Sequence, residues 1–302
     1  MNEQKKNRLM MVACFGSLAS TGVLLCAKVV AFIGTGSVAI LSSLFDSVQD
    51  LMTSMINMIA VRQAIQPADK SHRFGHGKAQ GIGGLLQAFI IAISSIWLLI
   101  ESISHLIHVE PVQRIDLGIW VTFFSMVIAF ILVAFQNYVI RETNALSIKA
   151  DRAHYAGDTL MNLGVLLSLV IYRYLGWTWI DGVFGIAVSI YLFYVVCGVM
   201  QEACAMLMDK ELSIEIRNEI KQLALSVPLV KQIALLKTRA GGNKRFAQFN
   251  VLFDENISLK KAHAQIDLIE QKIAEKYPDM DVMIHAEPFI KEKQKKGLKC
   301  RA

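Results

Sequence analysis

No CxxC pair joins any of the five cysteines of this 302-residue chain, and HExxH is absent. No segment interleaves basic residues with aromatics. Without CxxC, a cysteine-built site has no spacing to support it, and the four cysteines inside apolar runs (Cys14, Cys26, Cys197, Cys204) read as small buried apolar residues. Cys300 is the fifth. Without HExxH, a membrane metalloprotease lacks the helix-borne ligands and general base that its chemistry requires. Without basic–aromatic interleaving, the net charge of +6 and pI of 9.0 do not indicate nucleic-acid binding. The N-terminus MNEQKKNR also lacks the small-residue cleavage site of a secretory signal, so the apolar run after it is read as a mature helix. No internal repeat stands out.

What the chain has instead is apolar length. Hydrophobic residues make up 54% and the mean hydropathy is +0.44, above the roughly 45–50% apolar share of soluble domains. A bilayer core of about 30 Å needs about 20 apolar residues per helix, and six windows are long enough. They run over residues 9–32, 38–64, 81–107, 117–140, 153–172 and 180–208, the fifth being the least apolar. Basic residues gather at the N-terminus (Lys5, Lys6, Arg8), in the second loop (Arg62, Lys70, Arg73, Lys78) and in the fourth (Arg141, Lys149, Arg152). The first loop has none, and the third and fifth have one each, Arg114 and Arg173. The positive-inside rule therefore puts both termini in the cytoplasm.

After Asp209 the composition changes. Residues 213–226 and 258–277 carry helical apolar periodicity, through Ile216, Ile220 and Leu223 and through Ile266, Ile269 and Ile273. Strands are expected over 230–239, 244–253 and 280–287, the first two joined by a Gly241-Gly242-Asn243 hairpin turn. The fold class is thus a membrane all-α, six-helix transmembrane domain plus a cytoplasmic α+β domain in the order αββαβ. The expected boundaries are 1–208 for the six-helix transmembrane domain, 209–290 for the cytoplasmic α+β domain, and 291–302 for a basic disordered tail. A domain of about 80 residues is marginal alone, so it is expected to dimerise or to dock on the membrane part.

Two pairs of metal-ligand residues interrupt the apolar windows: Asp46 and Asp50 in SSLFDSVQDLM, and His154 and Asp158 in DRAHYAGDTLM. Each pair is spaced i,i+4, which puts both side chains on one face of a helix. An ionisable group in the hydrocarbon core costs roughly 2.5–3.5 kcal/mol on insertion scales, so four of them without a use would be expensive. Three carboxylates and an imidazole suit a tetrahedral divalent transition metal. The stripe continues through Ser43, Ser47, Ser54 and Asn57 on the second helix and Asp151 and Asn162 on the fifth, so the two stripes are expected to face each other around a wet cavity. Purely structural glue would more often be Ser, Thr, Asn or Gln. The second loop, QPADKSHRFGHGKAQ, adds Asp69, His72 and His76, with Gly75 and Gly77 allowing it to fold tightly around a cation.

The DxxxD, the HxxxD and the loop string QPAD…HRFGHGKAQ together resemble the cation diffusion facilitator family, in particular its bacterial zinc and iron efflux branch, over residues 9–290. The resemblance implies a homodimer in the bacterial inner membrane, with six transmembrane helices and a cytoplasmic metallochaperone-like (ferredoxin-like) domain. It implies a transporter and not an enzyme: a metal/proton antiporter that exports Zn²⁺ first of all, or Fe²⁺ or Cd²⁺, by alternating access. The transport site would be Asp46, Asp50, His154 and Asp158, with His154 the expected titrating group. The loop site would be Asp69, His72 and His76, and Lys78 with Asp209 would lock the dimer. An exposed pair of that kind is worth under about 1 kcal/mol. The cytoplasmic metal site is only partly kept: His263, His285 and Glu287 match, while Ala234, Asn250 and Ala286 stand where relatives offer ligands. Asp46, in place of a histidine, makes the transport site harder and leaves Fe²⁺ or Mn²⁺ open beside Zn²⁺. The alternatives, a membrane metalloenzyme or a membrane-anchored metal sensor, explain less: the first lacks its motif, and an anchor needs no acids at membrane depth.

Overall fold

The computed structural model describes residues 3–35, 38–107, 115–177, 179–242 and 244–289. The chain divides into two compact units, Met1–Leu207 and Met208–Ala302. The tail expected at 291–302 lies outside the described residues, as do Asn243 and Cys300.

The first unit consists of long helices: α1 (Glu3–Thr35), α2 (Val38–Ala64), α3 (Ala79–Ile107), α4 (Ile115–Thr143), α5 (Leu146–Leu175) and α6 (Ile180–Leu207). Among the described residues, four of them hold stretches long and apolar enough to cross a bilayer: Gln4–Val30, Ala79–Ile107, Met126–Thr143 and Ile180–Leu207. The other two, α2 and α5, carry the polar stripes, and those ionisable residues lower their hydropathy. Each apolar window lies within or within one residue of one helix, but α5 begins at Leu146, seven residues before its window, because polar residues can still occupy a helix whose face is covered by protein. α5 ends on Leu175, with Gly176 in the left-handed region at φ 70, where a helix stop favours glycine.

Two apolar clusters organise these helices. Met10, Ala13, Cys14, Val61, Val139, Ala145 and Ile148 bring together α1, α2 and α4 with the start of α5. Ala88, Ile91, Leu146, Ala150, Val196, Val199 and Ala203 join α3 and α6 to α5. α5 is therefore common to both clusters. Large side chains elsewhere point outward, among them Trp97 (71% exposed), Phe130 (65%) and Tyr194 (78%), an apolar exterior suited to lipid. The cysteines follow this division. Cys14 is buried as expected, but Cys26 and Cys204 are exposed, because an apolar position in a membrane helix can face outward as well as inward.

The second unit is α7 (Ile214–Leu225), β1 (Gln232–Gly241), β2 (Lys244–Phe253), α8 (Leu259–Lys276) and β3 (Met280–Pro288), which is the expected αββαβ order. The sheet order is β1-β2-β3, with β2 antiparallel to β1 and parallel to β3 across α8. Ile220 and Ala224 of α7 and Ile269 and Ile273 of α8 close over Ala247, Phe249, Val251 and Phe253 of β2. Ser258 caps α8, its hydroxyl accepting from the Lys261 N–H at 3.4 Å. A register shift breaks β1 between Ala234 and Lys237, where Leu235 sits at φ 53 and is 69% exposed. The alternation of the sequence gave no sign of this bulge.

Candidate metal sites

The two polar stripes meet. Nε2 of His154 on α5 lies 2.9 Å from Oδ1 of Asp50 on α2 and 3.7 Å from Oδ2 of Asp158, one turn further along α5. One ligand atom from each of the three lies within 4.8 Å of the others. The imidazole is well covered, at 11% side-chain exposure, while Asp158 is more open at 41%. Two carboxylates therefore converge on one imidazole nitrogen, close enough for all three groups to share one cation. Asp46 lies in α2 one turn before Asp50, but its side chain is outside the described residues.

Neighbouring helices hold α2 and α5 in place. Gln49 of α2 donates to Ser94 of α3 at 2.8 Å, and Lys149 of α5 pairs with Glu202 of α6 at 2.5 Å. Lys28 of α1 donates to Ser47 Oγ of α2 at 2.6 Å, one residue from Asp46. Lys28 escaped the sequence reading. A lysine in the apolar run LLCAKVVAF was visible on the same cost argument as the acids, and its charge opposes theirs. Gln136, a buried amide on α4, was also overlooked.

The loop cluster is equally compact. His76 Nε2 lies 3.3 Å from Asp69 Oδ2, and His72 Nδ1 lies 3.6 Å from Asp69 Oδ1. Ligand atoms of all three fall within 4.8 Å of one another. The tight turn is made by Asp69 itself, whose Oδ1 accepts from the backbone N–H of Ser71 at 2.8 Å and of His72 at 2.6 Å, and by Gly75 at φ 83. The His72 N–H bond, ahead of the other influences, holds the Asp69 carboxyl below the usual carboxylate range, so it stays ionised for a cation. His76 is only 7% exposed, and its buried Nδ1 has no hydrogen-bond partner.

Among the described residues, these are the two groups of three or more ligands close enough to share an ion. His263, His285 and Glu287 are not drawn together in that way. His263 pairs along α8 with Asp267 at 3.8 Å, and His285 lies 3.9 Å from Glu287 on β3. Ala234, Asn250 and His285 form one row across the sheet, and Asn250 Nδ2 donates to Glu287 Oε1 at 2.7 Å. The carboxylate is thus engaged by an amide that is itself a weak metal donor. Lys78 Nζ donates to the Leu207 carbonyl at 3.3 Å, and Asp209, at φ 54, holds Arg239 at 3.2 Å.

Residues 15–208 match the family described as the cation efflux transmembrane domain, and residues 212–289 match the cation efflux protein cytoplasmic domain. The chain is 36% identical over 285 residues to the cation-efflux pump FieF of Klebsiella pneumoniae, covering 94% of this chain and 95% of that protein. It is 37% identical to the cation-efflux pump FieF of Escherichia coli K12, with the same coverage. A solved MamM CTD is 21% identical, covers 25% of this chain and 96% of that one, and has a TM-score of 0.24.

Proposed function

The chain belongs to the cation efflux family and exports divalent metal cations, and from that premise we propose that it works as a metal/proton antiporter with Asp46, Asp50, His154 and Asp158 as the transport site. The observation that carries the reading is the convergence of Asp50, His154 and Asp158 from α2 and α5 on a space under 5 Å across. An imidazole and carboxylates coordinate only when deprotonated, so an arriving cation displaces protons, and returning protons displace the cation. Such a site binds metal on one side of the membrane and releases it on the other once the helices that carry it rock to expose it.

The basic loops support cytoplasmic termini, six spans and an inner-membrane location, so metal enters from the cytoplasm. Asp69, His72 and His76 form a second metal site beside that entrance, and Lys78 with Asp209 ties the homodimer at the membrane face. Zn²⁺ is the first expected cargo, with Fe²⁺ and Cd²⁺ accepted by the same donors. The test is metal-resolved uptake into proteoliposomes under an imposed pH gradient. Zn²⁺ flux that follows the gradient and carries protons the other way is expected; flux indifferent to pH would refute the antiport.

A further inference from the structure

One turn before His154 on α5, Asp151 is fully buried where four helices meet. Its Oδ2 accepts from Ser17 Oγ of α1 at 2.6 Å and from Gln136 Nε2 of α4 at 2.7 Å. Its Oδ1 has no hydrogen-bond partner. The amide of Asn57, from α2, is fully buried and within reach of the Asp151 carboxyl as a hydrogen-bond partner, yet neither its Nδ2 nor its Oδ1 makes a well-formed bond; Gln136 Oε1 is unpartnered too. Buried polar atoms left unpaired in such number call for a missing hydrogen or ligand.

The chemistry of the two groups supplies it. An ionised carboxylate here buries a charge with one oxygen bare, which is costly. A proton on Oδ1 removes the charge and makes the donor that the Asn57 carbonyl lacks, pairing both groups at once. When the proton leaves, the same amide, turned over, offers Nδ2 to the bare Oδ1. Asn57 can thus partner Asp151 in either protonation state, as a group that exchanges protons requires. We propose that Asp151 is a further proton-carrying residue of the export cycle. It holds a proton on Oδ1 while the Asp50–His154–Asp158 cluster is empty, and gives it up to water on the cytoplasmic side when a divalent cation arrives a turn away. No bond other than the O–H breaks. The titratable groups that act on Asp151 are Cys14 of α1 and His154 and Tyr155 of α5. α2 and α4 present the neutral Asn57 and Gln136, and Asp50 is engaged with His154. The Tyr155 hydroxyl is held by Ser54 at 2.9 Å and by the Ser17 carbonyl at 3.3 Å, so it does not take the place of Asn57.

This proposal rests on the antiport reading, and one experiment separates the two. Protons exchanged per Zn²⁺ are counted in proteoliposomes of the full-length protein, with an internal pH dye and zinc flux recorded together. Wild-type protein is expected to exchange protons, Asp151→Asn to carry about one fewer per ion while still binding Zn²⁺, and Asp151→Glu to restore the count. Wild-type exchange with an unchanged count in Asp151→Asn overturns this proposal alone. Wild-type flux without proton exchange overturns the antiport and this proposal with it. If Asp151→Asn does not fold, Asn57→Ala decides, since it removes the amide that partners the ionised Asp151 and is expected to keep the proton in place, lowering the count of protons per Zn²⁺. An unchanged count overturns the proposal.

Discussion

His154 is the residue on which the proposed membrane site turns, because its one nitrogen faces carboxylates from two directions, Asp50 at 2.9 Å and Asp158 at 3.7 Å. A four-coordinate ion loses its site when any ligand is lost. Asp46→Ala, Asp50→Ala, His154→Ala and Asp158→Ala are each expected to abolish flux, by tenfold or more, while the protein stays folded and dimeric, since removing a buried acid relieves a burial cost. Near wild-type flux in Asp158→Ala, measured in proteoliposomes, would remove Asp158 from the site. In the loop, His72→Ala and His76→Ala are expected to lower the bound-metal count and slow transport several-fold without stopping it. Complete loss would place the loop on the obligatory path. The ligand types were legible in the sequence, because an acid or imidazole in an apolar run is costly enough to need a reason. Asp151 was legible only as part of a stripe; that one of its oxygens goes unpaired depends on Ser17 and Gln136, far away in sequence.

At the scale of elements, the position of α2 depends on how closely α3 approaches it. A Cβ added at Gly83 of α3 would lie 2.2 Å from the Ala60 Cβ of α2, and neither atom can turn away. Gly83→Ala is therefore expected to push α2 and α3 apart, costing about 1–3 kcal/mol, and to displace Asp50 with its helix. Thermal melting and flux should fall together; a wild-type melting temperature would show that the helices separate freely. In the second unit, α7 and α8 are joined by Tyr277, whose hydroxyl donates to Glu219 of α7, with Lys276 Nζ at 3.0 Å from the same carboxylate. The Tyr277 bond, then Lys276, holds the Glu219 carboxyl below its ordinary range. That contribution is present above the unfolded value of about 4.3 and is lost as pH falls through the lower folded value. Burial first, then Glu219, pushes the Tyr277 hydroxyl up to about 12, so its share is complete below the ordinary value of 10.0 and is lost as pH rises toward 12. Tyr277→Phe should lower the melting temperature of this unit by about 5 °C and flatten both limbs of its stability profile, as read by circular dichroism. An unchanged profile would show that the contact contributes nothing.

For the whole molecule, the distribution of metal ligands predicts where ions bind. Among the described residues, the first unit holds two compact clusters of candidate ligands, whereas in the second His263, His285 and Glu287 do not converge on one ion-sized space, and Asn250 already occupies Glu287. The cytoplasmic unit is therefore expected to bind no more than one Zn²⁺ per protomer. Its dimer should persist under chelation, through apolar contacts. Isothermal titration with sedimentation of residues 209–290 decides: two tight sites, or a dimer that dissociates fully on chelation, would mean that ligands beyond these three complete the site.

Hydrophobic length, loop charge and periodicity are local properties, so the sequence alone determined the six long helices, the αββαβ order and the residues that are candidate ligands. Even β2 runs over Lys244–Phe253, the range its apolar pattern predicts. Contacts between residues a hundred positions apart leave no local trace, and only the tertiary structure decided those. It placed Asp50 against His154, set α5 between two apolar clusters, and brought Ser17, Asn57 and Gln136 around Asp151. It also left His263, His285 and Glu287 without the convergence a shared ion needs, which no spacing could have foretold, because it depends on how α8 packs across the sheet.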